Sequence, residues 1–261
     1  MGFRYGVCAG VDASPALIAA GYDYIELAVG TVKPKERDWD GLATLRARTV
    51  EAGLPCDAWN CLLPGELKVT GPDVDLQAAA DYIDLAFIRI EKLGGRVIVF
   101  GSGGARRVPE GWPREEAEAQ LRAFLRLAAS HAADHNLGIA IEPLRFEECN
   151  IINTVAEGLE YVRAVQSCRL QVLVDYYHLT SVGESLDALK QAGNFLVHVH
   201  LAAPGSRKAP GLEEHDFVPL MRALKEIDYK GRISIEGGWN DLAAEAARAL
   251  EVLKAAEQAA S

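Results

Sequence analysis

Eight short apolar runs alternate with segments of helical periodicity, and no other feature of the sequence narrows its possible folds so far. The runs lie at residues 5–9, 24–29, 56–62, 96–100, 137–142, 170–175, 196–201 and 232–236. Between them the clearest helix pattern is Leu76, Ala79, Ala80, Ile83, Phe87, Ile90 and Leu93, which keeps one face apolar through several turns. Helical spacing also covers residues 39–52, 114–136, 155–165, 185–192, 217–227 and 242–256. Gly53, Gly94, Gly138 and Gly193 stand at or near the expected helix exits, where a residue tolerating positive φ turns the chain back. Strands that alternate with helices form a parallel sheet, and eight such units favour closure into a (β/α)8 TIM barrel. The 261 residues match the length of one such barrel, about 250 residues, so residues 1–261 are expected to form a single domain. No GxGxxG follows the first run, which weakens an open dinucleotide-binding sheet.

The carboxyl ends of barrel strands converge on one mouth. The last four runs carry Glu142, Asp175, His200 and Glu236 at or next to those ends. Taken singly, each acid reads more simply as a helix cap or an ion-pair partner. Capping does not explain four successive strand ends of this kind. Three carboxylates and one imidazole suit a divalent ion, Mn²⁺ first, with Mg²⁺, Co²⁺ or Zn²⁺ as alternatives. Such a set leaves coordination positions open for a hydroxy-carbonyl substrate. His198 shares the inward side of its strand with His200, one layer deeper, where a structural hydrogen bond is the simpler role. His131 and His135 have i,i+4 spacing but no HExxH glutamate, and read as a solvated helix face.

The formal charge of −10 opposes phosphate backbones, which excludes nucleic acid as the expected partner. Five cysteines form no CxxC pair and read as reduced thiols. The amino terminus lacks the basic flank and apolar core of a secretory signal, and no apolar run is long enough for a membrane span. A cytoplasmic address without membrane attachment is the resulting expectation, with homo-oligomerisation open. In the segment Gly101 to Arg107, glycine amides and two arginines offer a cradle for phosphate or carboxylate, although an ordinary βα loop is the favoured reading. Trp59, Trp112 and Trp239 are candidate walls for a small ligand, Trp239 foremost because it follows Glu236, with core packing as the alternative.

Further residues strengthen the reading. Glu142-Pro143-Leu144 with Glu148 and Ile152-Asn153-Thr154, then Asp175-Tyr176-Tyr177-His178, His198-Val199-His200, Arg207 with Pro210-Gly211, and Ile235-Glu236-Gly237 resemble the ketose 3-epimerase branch (D-tagatose and D-psicose 3-epimerases) of the xylose-isomerase-like barrels. Tyr24-Ile25-Glu26-Leu27 adds a weaker sign. The resemblance implies that Glu142, Asp175, His200 and Glu236 bind the metal and that Glu142 and Glu236 act as acid and base. It also implies that His178, Arg207 and Glu148 contact substrate or support a catalytic glutamate. The expected reaction is epimerisation or isomerisation of a ketose or related polyol-carbonyl through a cis-enediolate. An inosose dehydratase, a hydroxypyruvate isomerase and a non-catalytic sugar-binding barrel are the alternatives. The related apurinic-site endonucleases need further His ligands after the third and fourth strands, where this chain has Asn60-Cys61 and Gly101-Ser102.

Overall fold

A computed structural model describes residues 2–36 and 39–260; Met1 and Ser261, the ends of the expected domain, lie outside the described residues, as do Arg37 and Asp38. Eight parallel strands close in sequence order: β1 Arg4–Cys8, β2 Tyr24–Ala28, β3 Ala58–Asn60, β4 Val97–Phe100, β5 Gly138–Ile141, β6 Leu170–Asp175, β7 Leu196–Leu201 and β8 Arg232–Ile235. β8 pairs with β1 through Arg4↔Arg232 to Val7↔Ile235, which completes the barrel.

The helices of the outer layer are α1 Ser14–Ala20, α2 Trp39–Arg48, α3 Leu76–Lys92, α4 Gly103–Arg106, α5 Arg114–Asp134, α6 Val155–Val165, α7 Tyr176–Ser181, α8 Asp187–Ala192, α9 Val218–Glu226 and α10 Leu242–Ala259. Side-chain caps set several of their starts. Asp75 accepts the Ala78 N–H, Thr154 accepts that of Glu157, and Asp241 accepts those of Ala243 and Ala244. The expected stripe of α3 is buried at Ala79, Ile83, Phe87 and Ile90, whereas Leu76 is exposed.

Three expectations need correction. The first βα unit carries α1, which its seven residues and missing apolar stripe hid from pattern reading. The second helix ends at Arg48 rather than residue 52 because the chain turns there, Leu54 N–H closing back on Thr49 O. Gly138 opens β5, and the left-handed turn before it falls on Asn136 (φ 52°), a residue whose short polar side chain tolerates that region.

Period-two alternation divides the strands between two environments. Ile25, Leu27, Trp59, Ile98, Phe100, Ile139, Ile141, Val172, Val174, Val199, Leu201, Ile233 and Ile235 join the large core beneath the helices. Tyr24, Ala58, Val97, Val99, Ala140 and Leu173 form a separate buried cluster within the barrel. Continuing that inward parity reaches Glu26, Glu142, Asp175, His200, Ser234 and Glu236. A β-carbon on Gly6 would stand 2.3 Å from the Tyr24 ring, so glycine on β1 makes room for the tyrosine that fills the barrel.

Candidate active site and metal centre

The inward residues at the strand ends meet at the mouth. One potential ligand atom from each of Glu142, Asp175, His178 and Glu236 lies within 4.8 Å of the others. His200 adjoins this group through Nδ1, which is 3.2 Å from Glu142 Oε1 and 3.7 Å from Glu236 Oε2. The register explains how His200 comes level with Asp175. Val172 faces Leu196 but Leu173 faces His198, so β7 carries one extra residue there and Asp175 then pairs with His200. Glu142 also needs an empty position beside it: a β-carbon on Gly101 would stand 2.2 Å from Glu142 Oε2.

The cluster is crowded with negative charge. Asp175 Oδ1 caps α7 by accepting from Tyr177 N (2.7 Å) and His178 N (3.3 Å), while buried Oδ2 has no hydrogen-bond partner among the described residues. Burial, then the charges of Glu236 and Glu142, push the Asp175 carboxyl well above the usual aspartate range. Burial also raises Glu236, but His200 and then Arg207 outweigh it and leave its pKa lowered to about 2. Buried His178 receives the Arg145 N–H on Nδ1 at 3.3 Å, and its Nε2 makes no hydrogen bond among the described residues but lies 3.8 Å from both Glu148 Oε2 and Asp175 Oδ2. That contact favours the Nε2–H tautomer, a donor directed at the acids. Burial lowers the His178 pKa despite Glu142 and Glu148, favouring neutral imidazole at pH 7. A buried carboxylate oxygen that accepts no hydrogen bond among the described residues, beside two further carboxylates and an imidazole, fits a divalent cation, which would supply the missing positive charge.

Glu148 and Arg207 border this centre. Arg207 Nη2 donates to Glu236 Oε2 at 2.7 Å and Nη1 to Glu148 Oε1 at 3.0 Å, and Arg145 Nε reaches the same Glu148 oxygen at 2.8 Å. The guanidinium carbons of Arg145 and Arg207 lie 5.3 and 5.0 Å from the Tyr177 ring centroid, giving both arginines an aromatic support. Arg207 sits at φ 55°, held by the Lys208↔Gly238 bridge and the Gly238 N–H donated to Arg207 O. Sequence reasoning did not identify Arg145, whose importance arises only through the fold.

Other candidates have different surroundings. Trp59 points outward, is fully buried, and donates its indole N–H to Cys56 O at 2.9 Å; it packs the core rather than walling the mouth. Trp239 packs against the core after β8, with its indole N–H buried and unpartnered among the described residues. Arg106 is not available to an anion. Its buried guanidinium donates to Phe100 O, Glu142 O and Ile152 O at 2.9, 2.7 and 3.4 Å, tying together the chain segments that carry Glu142. Arg107 donates to Glu147 O at 2.9 Å. His131 and His135 face Asp84 and Glu91 on α3.

The sequence profile of the xylose isomerase-like TIM barrel family matches residues 15–256. A probable ketose 3-epimerase of Synechocystis sp. is 32% identical over 67% of this chain, and the match spans 61% of that protein, less than two thirds of its length. An L-ribulose 3-epimerase of Methylomonas sp. is 30% identical over 83% of this chain and 74% of its own length. A D-psicose 3-epimerase crystallised in the presence of D-fructose superposes with a TM-score of 0.85 over 98% of this chain and 99% of that one. At 21% identity, that likeness concerns the fold alone.

Proposed function

The chain belongs to the xylose isomerase-like TIM barrel family, and from that premise we propose that it is a divalent-metal-dependent ketose epimerase or isomerase. The observation that carries the reading is the convergence of Glu142, Asp175 and Glu236 with His200 beside them, at the end of the barrel where such folds do chemistry. The names of the Synechocystis and Methylomonas relatives support the sugar class. Glu142, Asp175, His200 and Glu236 would hold the ion, with Mn²⁺ the preferred candidate. Bound there, a divalent ion supplies Lewis acidity that polarises a carbonyl and acidifies the adjacent C–H.

The chain's own residues account for proton movement. Glu142 and Glu236 follow β5 and β8, three strands apart around the barrel, positions from which they would approach a bound sugar from different sides. One carboxylate takes the proton from the carbon beside the carbonyl, and the C–H electron pair enters a cis-enediolate. The other glutamate, protonated, returns a proton to the opposite face and inverts the centre; return to the neighbouring carbon gives aldose–ketose isomerisation. His178 Nε2–H and the Arg207 guanidinium orient hydroxyls by hydrogen bonding. Both arginines after β4 bind backbone carbonyls rather than forming a phosphate cradle, which favours an unphosphorylated sugar.

The test follows candidate ketoses and inososes by NMR in D₂O, with metal-stripped protein before and after Mn²⁺ is restored. Manganese-dependent deuterium incorporation accompanied by an epimer or isomer is the expected result. Loss of water from an inosose would establish the dehydratase instead, and metal binding without exchange in any sugar would favour a binding-only barrel.

A further inference from the structure

A fifth strand-borne group joins the centre from below. Glu26 of β2 is fully buried, and its Oε1 lies 2.9 Å from His200 Nε2. Its Oε2 lies 2.7 Å from His198 Nε2 and accepts the Ser234 hydroxyl at 2.5 Å. The Tyr24 hydroxyl adjoins Ser234 Oγ at 2.8 Å and extends the network down the barrel. Tyr24, His198, His200 and Ser234 are all fully buried. The carboxylate of β2 is thereby anchored to β7 and β8, and one of its oxygens is aimed at the edge of His200 opposite the acid cluster.

We propose that Glu26 is the positioning residue of the centre: its carboxylate receives the Nε2–H of His200 and so presents Nδ1, the unprotonated nitrogen, to the divalent ion. The inference rests on the metal-dependent reading above and assigns a role to a residue outside the proposed ligand set. His200 has two different neighbourhoods. Nδ1 faces Glu142 and Glu236 at 3.2 and 3.7 Å, while Nε2 faces Glu26 at 2.9 Å and Cys8 Sγ at 3.9 Å. An imidazole needs its ligating nitrogen free of a proton, and a carboxylate on the other ring nitrogen selects that tautomer and strengthens the donor. Glu26, His198 and His200 also lie close enough together to form a ligand group themselves. Their mutual 2.7 and 2.9 Å contacts, with Ser234 on the same carboxylate, instead close that cluster by hydrogen bonding.

The test is long-range ¹H–¹⁵N NMR of histidine-labelled protein loaded with diamagnetic Zn²⁺, together with calorimetric Mn²⁺ titration of wild type and Glu26→Gln. The expected spectrum has His200 protonated at Nε2 and coordinated at Nδ1, and Glu26→Gln is expected to bind Mn²⁺ about 10–100-fold more weakly. The wild-type spectrum decides the tautomer even if the variant fails to fold. Coordination through Nε2, or a folded Glu26→Gln that keeps wild-type Mn²⁺ affinity, overturns the proposal while leaving the metal-dependent reading intact. A wild type that binds neither ion overturns both. The expected tautomer and affinity loss in a protein that turns over no sugar would uphold the role of Glu26 and reject the sugar reaction.

Discussion

Asp175→Asn should stabilise the metal-free protein and weaken the metal-loaded one relative to wild type. Asparagine has nearly the same shape and retains an oxygen able to cap α7 at Tyr177 and His178. It removes one of three crowded charges. The Asp175 ligand atom lies within 4.8 Å of those of Glu142 and Glu236. At an effective dielectric constant of about 20, each repulsion amounts to roughly 3 kcal/mol. His200 and Arg207 cancel a share of this, so a net gain of about 1–3 kcal/mol is expected, or roughly 2–10 °C in Tm. The pH dependence has a definite sign. Because the native Asp175 carboxyl is raised above its ordinary value of 3.8, its penalty is absent below that value. The penalty grows as pH climbs and is complete above the native pKa. The advantage of the variant should therefore be absent in acid, grow as pH rises past the ordinary aspartate range, and level off only above the native pKa. With Mn²⁺ at about 1,000 times its Kd, wild type gains about 4.1 kcal/mol, more than the metal-free advantage of the variant, so the order reverses where loss of the carboxylate ligand removes the variant's own gain. Thermal denaturation of chelated and Mn²⁺-replete protein between pH 4 and 8 measures both effects. A metal-free variant no more stable than wild type anywhere between pH 4 and 8, or one gaining equally from Mn²⁺, would overturn this account.

Three other substitutions address separate parts of the site. Glu142→Gln and Glu236→Gln, each assayed at saturating Mn²⁺, should lose about 10²–10⁴-fold in deuterium exchange into the sugar, whereas near-normal rates in either would eliminate the two-glutamate mechanism. Arg106→Leu should cost about 3 kcal/mol in urea denaturation because the Phe100, Glu142 and Ile152 carbonyls lose their donor. Undiminished stability combined with loss of sugar-phosphate binding would instead restore the anion-cradle role.

The fold and the candidate site differed in how far they could be read from sequence. Strand alternation gives the inward or outward side of each residue directly, so the convergence of Glu142, Asp175, His200 and Glu236 required little beyond counting by two from barrel positions. The same counting would have turned Trp59 outward, since its neighbours Ala58 and Asn60 have the opposite parity. Residue type was a poorer guide for arginine. Arg106 and Arg107 are adjacent in sequence, yet one is fully buried and the other exposed. Arg89, fully buried on α3, instead donates to Val32 O, Lys33 O and Glu36 O in the segment after β2. Those carbonyl partners have no residue-type signature.

The barrel periodicity and the strand ends on which acids and histidines stand are legible in the residue order alone, because both follow from local geometry repeated along the chain. The closed barrel is what brings Glu26 onto His200 and His198, separated from it by 174 and 172 residues. It likewise joins Arg145 and Arg207 through Glu148. Hydrogen bonds and charge pairs act over a few ångströms, and barrel closure together with the one-residue bulge on β7 sets which distant groups come within that reach.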